Sequence, residues 1–417
     1  MNLKSKLHKN LLVIKAIGLK KSLLVPFALI FVLVLKLLTI FRDVRIHTIK
    51  NHRLGHFATN TELSYLNSKK RFRTTQKKQI NVYCYQVKEH SNCHLAKMWE
   101  RKLFVLSAPF GQLVYDIAKR FTPNLAVKST AIDVSGLLNA YNTSLTFLDS
   151  EMSEGLEFIN KLEMKLEKGF VCLNVRDSTY LAKSQSTGWS ADRDWSNHDY
   201  RDSDIKTYVA AAETLAELGY TVFRMGAIVK EALDSAHPRV IDYATNGMRT
   251  EFLDIFLGAH CFFTVSTGSG WDSVVQLFRR PLILVNHLPL LNPALHTMNG
   301  LVYPKSLREL TGINPLSLNE AVQLNVAPAY SSKQFSDAGV EIRDLSSEEL
   351  VEAVTEMAQR VEGTFVETPE QRGMQAKLKH ILSTHPKLQP SPNYYPIRAQ
   401  FASCFLSRYP NFLDGLD

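Results

Sequence analysis

The stretch FFTVSTGSGWDSVVQLFRRPLILVNH, residues 262–287, restricts the possible folds of this chain more than any other stretch does. It has the pattern of an apolar strand, a turn of small residues, a helix and a second apolar strand. Fully apolar strands joined through a helix are typical of a buried parallel sheet. The stretch therefore predicts a βαβ unit with a glycine-containing turn at the carboxyl end of a strand.

The turn itself has two interpretations. Glycines allow a sharp bend and a close approach by another molecule, and the N–H groups at a helix start attract anions. The alternative is a tight connection without a ligand. The first interpretation predicts phosphate binding by the turn and the residue that begins the helix: Ser266, Thr267, Gly268, Ser269, Gly270 and Asp272.

Charge along the chain is uneven. Of its 49 Lys and Arg, 11 lie in residues 1–53 beside a single acid, Asp43, and the other 38 are balanced by 39 acidic residues. Basic residues that surround an apolar segment indicate anionic lipid, and we exclude nucleic acid as a partner. The five cysteines form no metal-ligand spacing, so no structural metal site is expected, and we also predict no bound cofactor.

The apolar segment is SLLVPFALIFVLVLKLLTIF, Ser22–Phe41, with positive charge on both sides. Its length fits either a membrane span that exports the body or a monotopic helix that leaves both ends in the cytoplasm. The arginines that follow the segment favour the monotopic arrangement. A buried core helix is the third alternative. We predict that residues 1–41 anchor the protein to the cytoplasmic face of a membrane.

Beyond the anchor, strand and helix patterns alternate along the whole chain, as in doubly wound α/β domains. We predict an amino-terminal Rossmann-like domain at 42–167 and a second at 168–363. A helical or irregular tail follows at 364–417. The helix at 346–363 carries a capping box, Ser346 with Glu349, and a glycine stop.

A second loop of interest follows the strand at Phe170–Val175, where Arg176 and Asp177 stand at the strand end. About two dozen residues without apolar periodicity follow, and loops of that length usually bind ligands. This loop is rich in aromatic and charged side chains: Trp189, Trp195, His198, Tyr200 and Arg201. An arginine suits a diphosphate because its planar fork pairs with phosphate oxygens. We expect Arg176 to be exposed, and Arg224, at another strand end, is a weaker candidate.

The blocks FVCLNVRDSTYL, NHDYRDSDI, LAELGYTVFRMG and FLDIFLGAHCFFTVSTGSGWD resemble a family of bacterial glycosyltransferases associated with surface-polysaccharide genes. RLGHFATNTELSYL is similar to that family's amino-terminal signature. LNVRD is also distantly similar to a segment of GT-B fucosyltransferases whose arginine binds the donor diphosphate. The resemblance covers most of the chain from about residue 42 to about residue 326. It implies a GT-B architecture, two Rossmann-like domains facing a cleft, with the nucleotide-sugar donor on the second and a glycan or lipid-linked acceptor on the first.

In that class, cations and helix amino ends stabilise the departing diphosphate. Arg176 is the first cation, and the base that activates the acceptor remains open among Asp177, His198 and His56. Asp192-Arg193-Asp194 has the spacing of a metal-binding DxD motif, but a polar loop more often carries such residues as solvated charge. The resemblance also implies a bacterial inner membrane as the location.

Two other functions fit the same fold and phosphate site. A sugar-nucleotide epimerase needs no membrane anchor, and a non-catalytic sugar-nucleotide-binding scaffold of a polysaccharide assembly complex releases no nucleotide.

Overall fold

The structure is a computed structural model that describes residues 22–75, 77–162, 168–180, 196–291, 295–384 and 398–415. Trp189, Trp195 and the Asp192-Arg193-Asp194 motif lie outside these residues. The chain divides into two compact units, one of residues 1–131 with 144–146 and the other of residues 132–143 with 147–417. The division near residue 131 differs from the predicted boundary at 167, and the predicted tail at 364–417 belongs to the second unit.

The first unit contains α1 (Val25–Leu38), β1 (Asp43–Ile49), a π-helical turn (His56–Asn60), α2 (Thr61–Thr75), β2 (Gln79–Tyr85), α3 (Cys93–Lys102), β3 (Val105–Leu106), α4 (Phe110–Phe121) and β4 (Ala126–Val127). Among the residues described, its strands pair in the order β3-β2-β1-β4, and every pair is parallel. The chain order reverses between β1 and β4, which makes their carboxyl ends the topological switch point of this sheet.

Helix α1 packs into the core of the first unit. Ala28, Val32 and Leu35, spaced to lie on one helix face, are buried with residues of β1, β2 and α4. Phe31 meets Phe110 of α4 edge to face, with ring centroids 6.0 Å apart. The predicted anchor segment is therefore built into this unit rather than separate from it. Within the described residues no helix has the length and apolar character needed to cross a membrane. Membrane association of residues 1–41 stays a prediction.

The second unit contains α5 (Leu137–Ala140), α6 (Asp149–Lys161), β5 (Phe170–Asn174), two 3-10 turns (Ser196–Arg201 and Ile205–Tyr208), α7 (Val209–Glu217), β6 (Thr221–Arg224), β7 (Val240–Ile241), α8 (Glu251–His260), β8 (Phe263–Ser266), α9 (Asp272–Leu277), β9 (Leu282–His287), β10 (Gly300–Pro304), β11 (Ser306–Glu309), α10 (Leu318–Gln323), α11 (Ser332–Asp337), β12 (Val340–Arg343), α12 (Ser347–Glu362), α13 (Pro369–Thr384), β13 (Gln400–Phe401), α14 (Ser403–Arg408) and a final 3-10 turn (Pro410–Leu413).

The main sheet of this unit has the order β13-β10-β9-β8-β5-β6-β7 in the part of the chain that is described. All its pairs are parallel. Read from β7, the first six strands follow the Rossmann order 3-2-1-4-5-6, with β5 and β8 at the switch point. Two parallel, doubly wound α/β units are thus confirmed, whereas a cleft between them stays a prediction.

Local signals explain several element boundaries. The predicted helix at 346–363 is present as α12, with the Ser346–Glu349 capping box and Gly363 in the left-handed region at a φ of 76°. Helix α6 belongs to the second unit because Gly155 lies against the ring of Phe256, where an added Cβ would come within 2.1 Å of a ring carbon. The region 109–148, whose sequence pattern is ambiguous, holds α4, β4 and α5.

Candidate functional site

The carboxyl ends of β5 and β8 bring the two predicted loops of the second unit together. Asn174, the last residue of β5, pairs in register with Ser266, the last of β8. Just beyond these two strand ends, the backbone N–H of Arg176 donates to Oγ1 of Thr267 at 2.9 Å. The arginine loop and the glycine turn are therefore joined at the switch point of the sheet.

Arg176 is largely buried, with 11% of its side chain exposed, contrary to the exposed position that we expected. Its guanidinium donates to the carbonyl of His198 at 3.0 Å and lies 3.3 Å from a carboxylate oxygen of Asp202. Burial, followed by the nearby positive charge of Arg201, lowers the pKa of Arg176. Even so, an arginine keeps its charge at neutral pH, so a fixed cation lies at this edge.

The guanidinium of Arg201 donates to the carbonyl of Gly268 in the turn. Arg176 and Arg201 are thus two guanidinium groups close enough to repel each other in a partly desolvated place. Asp202 pairs with Arg176, and burial raises the pKa of Asp202 to about 6 despite that cation. Asp199 also acts on Arg176, and the buried Asp272 interacts with Arg201. The two cations therefore lie among several carboxylates, and an anion site between the guanidinium groups stays a prediction.

Most polar groups of the turn bind each other. The buried carboxylate of Asp272 accepts from Oγ of Ser266 at 2.6 Å and from the N–H of Ser269 at 2.7 Å. Asn174 donates to Oγ of Ser269 at 2.6 Å. Three predicted phosphate contacts, Ser266, Ser269 and Asp272, therefore hold the turn in shape. The turn also holds the arginines, through Oγ1 of Thr267 and the carbonyl of Gly268.

The two glycines of the turn have different roles. Gly268 is buried at a φ of 87°, which residues with a Cβ rarely adopt, and an added Cβ would lie 3.1 Å from Nδ1 of His287. The same Cβ would lie 3.6 Å from the guanidinium of Arg201. Gly270 is exposed. The close approach is therefore at Gly268, where backbone, imidazole and guanidinium meet.

Other predicted residues of this unit serve the scaffold. Arg224 is 1% exposed and donates to Asp242 at 3.2 Å and to the carbonyl of Glu231 at 3.0 Å. Both carboxylate oxygens of Asp177 accept backbone N–H groups, from Thr179 at 2.8 Å and Lys230 at 2.9 Å. These bonds fix the loop after β5, and they leave both residues less suited to the diphosphate and base roles that we predicted.

His198 is half-buried, and its backbone carbonyl holds Arg176. Its ring lies 6.4 Å from that of Tyr200, which packs on Phe335 of α11. The structure thus places His198 beside the arginine pair.

One buried lysine of the second unit, Lys305, was not predicted from the sequence. Lys305 follows β10 with 3% of its side chain exposed, 2.7 Å from a carboxylate oxygen of Asp344, and it donates to the carbonyl of Asp202 at 2.8 Å. Burial lowers its pKa. The sequence carries one signal for it, because Lys305 directly follows the apolar run GLVYP. It therefore stands at the end of an apolar strand, as Arg176 does. Lys305 supports the Asp202 segment and thereby the arginine pair.

The first unit has a candidate site at its own switch point. His56 follows β1 on the π-helical turn, and its Nδ1 lies 3.2 Å from Oδ1 of Asn60. The amide nitrogen of Asn60 donates to Oγ of Ser129, just after β4, at 2.8 Å. This bond orients the amide so that its oxygen accepts the Nδ1 proton, which leaves Nε2 of the neutral ring as a base.

The environment keeps His56 neutral. Burial and the positive charge of Arg53, followed by weaker effects of Lys50 and His52, outweigh the bond to Asn60 and lower the pKa of His56 to about 4. Irregular π-helical turns often occur at functional sites. Of the three predicted bases, His56 has the hydrogen-bond geometry that suits a general base, and Asn60 is a residue that the sequence analysis missed.

Fold and sites together define a protein of two parallel α/β units, each with polar side chains gathered at its switch point. Among the described residues no group of three or more His, Cys, Asp or Glu is arranged to hold a metal ion. Independence from metals and cofactors stays a prediction.

The sequence matches no protein-family model and no curated protein. Among solved structures, the chain is similar to the glycosyl transferase family 9 protein from Veillonella parvula DSM 2008, at 11% identity and a TM-score of 0.45, over 76% of this chain and 98% of that one. It is similar to the E. coli ADP-heptose LPS heptosyltransferase II, at 14% identity and a TM-score of 0.39, over 76% and 100% of the two chains. A third similar structure is the dodecameric iron-containing heptosyltransferase TibC of enterotoxigenic E. coli in complex with ADP-D-β-D-heptose, at 8% identity and a TM-score of 0.35, over 76% and 78%.

Proposed function

We propose that the protein is a glycosyltransferase that moves a sugar from a nucleotide-sugar donor to a glycan or lipid-linked acceptor in bacterial surface-polysaccharide biosynthesis. The observation that carries this proposal is the pair of guanidinium groups, Arg176 and Arg201, held at the switch point of the second unit. Ligands of doubly wound sheets bind at this place. The resemblance to glycosyltransferases includes the motifs VRD, Val175–Asp177, and HDYR, His198–Arg201, which contain the same two arginines.

The pair suits a donor diphosphate. When the bond between the sugar and the diphosphate breaks, positive charge builds on the sugar and negative charge on the leaving group. Two guanidinium groups fixed in advance stabilise that negative charge without having to reorganise. Burial of Arg176 strengthens the interaction because water screens it less. The donor diphosphate therefore lies against Arg176 and Arg201 in this proposal.

The acceptor hydroxyl must lose a proton as it attacks. In this proposal His56 takes that proton on Nε2, while Asn60 keeps the other nitrogen protonated. The lowered pKa keeps the imidazole unprotonated at neutral pH, and it also makes the ring a weaker base than an exposed histidine.

The test is product formation by the purified full-length chain with a panel of nucleotide sugars, with and without lipid-linked or glycan acceptors. A transferase releases nucleoside diphosphate only when donor and acceptor are both present. Conversion of one nucleotide sugar into another without acceptor would indicate an epimerase. Binding without any product across the panel would indicate a scaffold. Arg176→Lys is the matched variant, because it keeps the charge and loses the planar fork.

A further inference from the structure

The two faces of helix α1 differ in burial. One face, with Ala28, Val32 and Leu35, is buried in the core of the first unit. The other is exposed and apolar, and we name it the α1 outer face: Phe27, Ile30, Leu33, Val34 and Leu37, with 48–65% of each residue exposed. Ile40 and Phe41 extend it beyond the helix, at 72% and 75% exposed. A helix that is apolar all round normally packs against other elements on every side, whereas among the described residues α1 is covered on one side only.

Exposed apolar patches of this kind mark interaction sites. The α1 outer face contains five large apolar side chains in three helical turns, so leaving it in water is unfavourable. The residue that interrupts it is Lys36, whose long side chain can keep its charge in a headgroup layer while its stem stays in apolar surroundings.

Charge indicates which partner covers this face. Residues 1–21, just before the helix, contain six lysines and no acidic residue, and Arg42 follows the apolar segment. Lysines beside an apolar face are attracted to anionic lipid headgroups at a membrane surface. A protein partner would need a matching apolar patch surrounded by acids, whereas an anionic bilayer supplies both features at once.

We propose that the α1 outer face docks in the plane of an anionic bilayer while the inner face of α1 stays packed in the first unit. The helix lies along the surface because its buried stripe already belongs to the core. If α1 left the unit to insert on its own, Ala28, Val32 and Leu35 would lose their packing against β1, β2 and α4. This proposal stands apart from the proposed enzymatic function, since lipid binding can be measured without substrates.

The first test is co-sedimentation of the full chain with vesicles of phosphatidylcholine, alone or mixed with phosphatidylglycerol. We expect tight binding to the mixed vesicles only, weakened by salt. Leu33→Glu combined with Leu37→Glu should reduce the partition coefficient at least ~10-fold, because two leucines no longer bury and two negative charges meet anionic lipid. The melting temperature should hardly change, since both positions are exposed.

The matched control carries the same change elsewhere. Ile313→Glu combined with Val366→Glu alters two exposed apolar residues of the second unit, at 89% and 83% exposed. This control should bind vesicles like the unmodified chain. Equal loss of binding in both double variants, or no loss in the α1 variant, would overturn the proposal. So would a lipid-free dimer that only the α1 variant disrupts, because a second copy would then cover the face.

A second test asks whether α1 stays in its unit when bound. Phe31→Cys with Phe110→Cys, in a Cys93→Ser background, lets a short thiol cross-linker join α1 to α4 where the two rings meet. The cross-linked protein should bind vesicles as well as the same variant does before cross-linking. Loss of binding on cross-linking would show that α1 must leave the unit to reach the bilayer.

Discussion

Nδ1 of His56 and Oδ1 of Asn60 lie 3.2 Å apart on one π-helical turn of the first unit. If His56 is the base, the acid limb of the pH–rate profile follows its lowered pKa, about 4, and transfer is lost as the ring becomes protonated below that value. Asn60→Asp places a carboxylate beside the ring, which favours the protonated form and raises the pKa of His56. We expect the acid limb to move to higher pH by one unit or more.

The measurement is kcat/KM as a function of pH in Asn60→Asp, His56→Gln and His52→Gln. His56→Gln should lose most of its transfer activity. His52→Gln removes only the weakest contribution to the lowered pKa of His56, so it should keep its activity and move the acid limb very little. An unchanged profile in Asn60→Asp, in a folded protein, would remove Asn60 from the positioning role.

Arg176→Ala should reduce kcat by about 10²-fold or more, because a fixed cation at the departing diphosphate is lost. It should also lower the free energy of unfolding by about 1–2 kcal/mol, since the partly buried carboxylate of Asp202 loses its partner. Adding Asp202→Asn should restore much of that stability without restoring transfer. Denaturation curves and steady-state kinetics on the single and double variants separate the two effects. Recovery of transfer in the double variant would show that Arg176 acts through the fold alone.

Gly268→Ala should weaken donor binding. The new Cβ is strained at a positive φ and presses on His287, next to the guanidinium of Arg201. Gly247→Ala is the matched control, because Gly247 has a φ of 83° and open space around it. Both variants should lose about 1 kcal/mol of stability from backbone strain. Calorimetric titration with the cognate nucleotide sugar should show a raised Kd in Gly268→Ala only, and equal donor affinities in the two variants would mean that the turn merely connects strand and helix.

Acid should destabilise the first unit through His47. This ring is buried, stacks on Tyr83 at 4.5 Å, and has a pKa lowered to about 4 by burial. In the unfolded chain His47 binds a proton below its ordinary pKa of about 6.5, whereas in the folded chain it does so only below about pH 4. The free energy of unfolding therefore falls as the pH is lowered from about 6.5 to about 4. From pH 7 to pH 5 the loss is roughly 2 kcal/mol from His47 alone. In His47→Gln, denaturant unfolding at several pH values should show a shallower decline, and a decline as steep as before would contradict this assignment.

The parallel architecture could be predicted because several of its strands are apolar on both faces. On that basis the sequence predicts strands at Cys261–Val265 and Pro281–Val285. The structure has them as Phe263–Ser266 and Leu282–His287, and both are buried throughout. The division between the units could not be predicted, because nothing in the sequence pattern shows that Gly155 packs on Phe256. For a similar reason a buried core helix was only the third alternative for α1, since apolar residues occupy both its inner and its outer face.

The candidate site could be predicted only as far as strand ends show it. Arg176 and the glycine turn were located because each follows an apolar strand, and the bond between Thr267 and Arg176 shows that they meet. Their individual roles depend on pairings far apart in sequence. Asp242 pairs with the buried Arg224, and Asp344 pairs with the buried Lys305. Whether a charged side chain binds a ligand or stabilises the fold therefore depends on partners that no local sequence pattern reveals.

Strand β13 has a consequence for synthesis. Residues 400–401 pair with β10, and the adjoining Phe405 and Phe412 fill the core of the second unit, so that core remains open until these residues have left the ribosome. The strands of the first unit all lie within residues 43–127 and emerge much earlier. The nascent chain therefore carries a finished first sheet while the edge of β10 still lacks its neighbour. Unpaired strand edges invite aggregation, so we expect dependence on chaperones to be greatest just before residue 400 emerges.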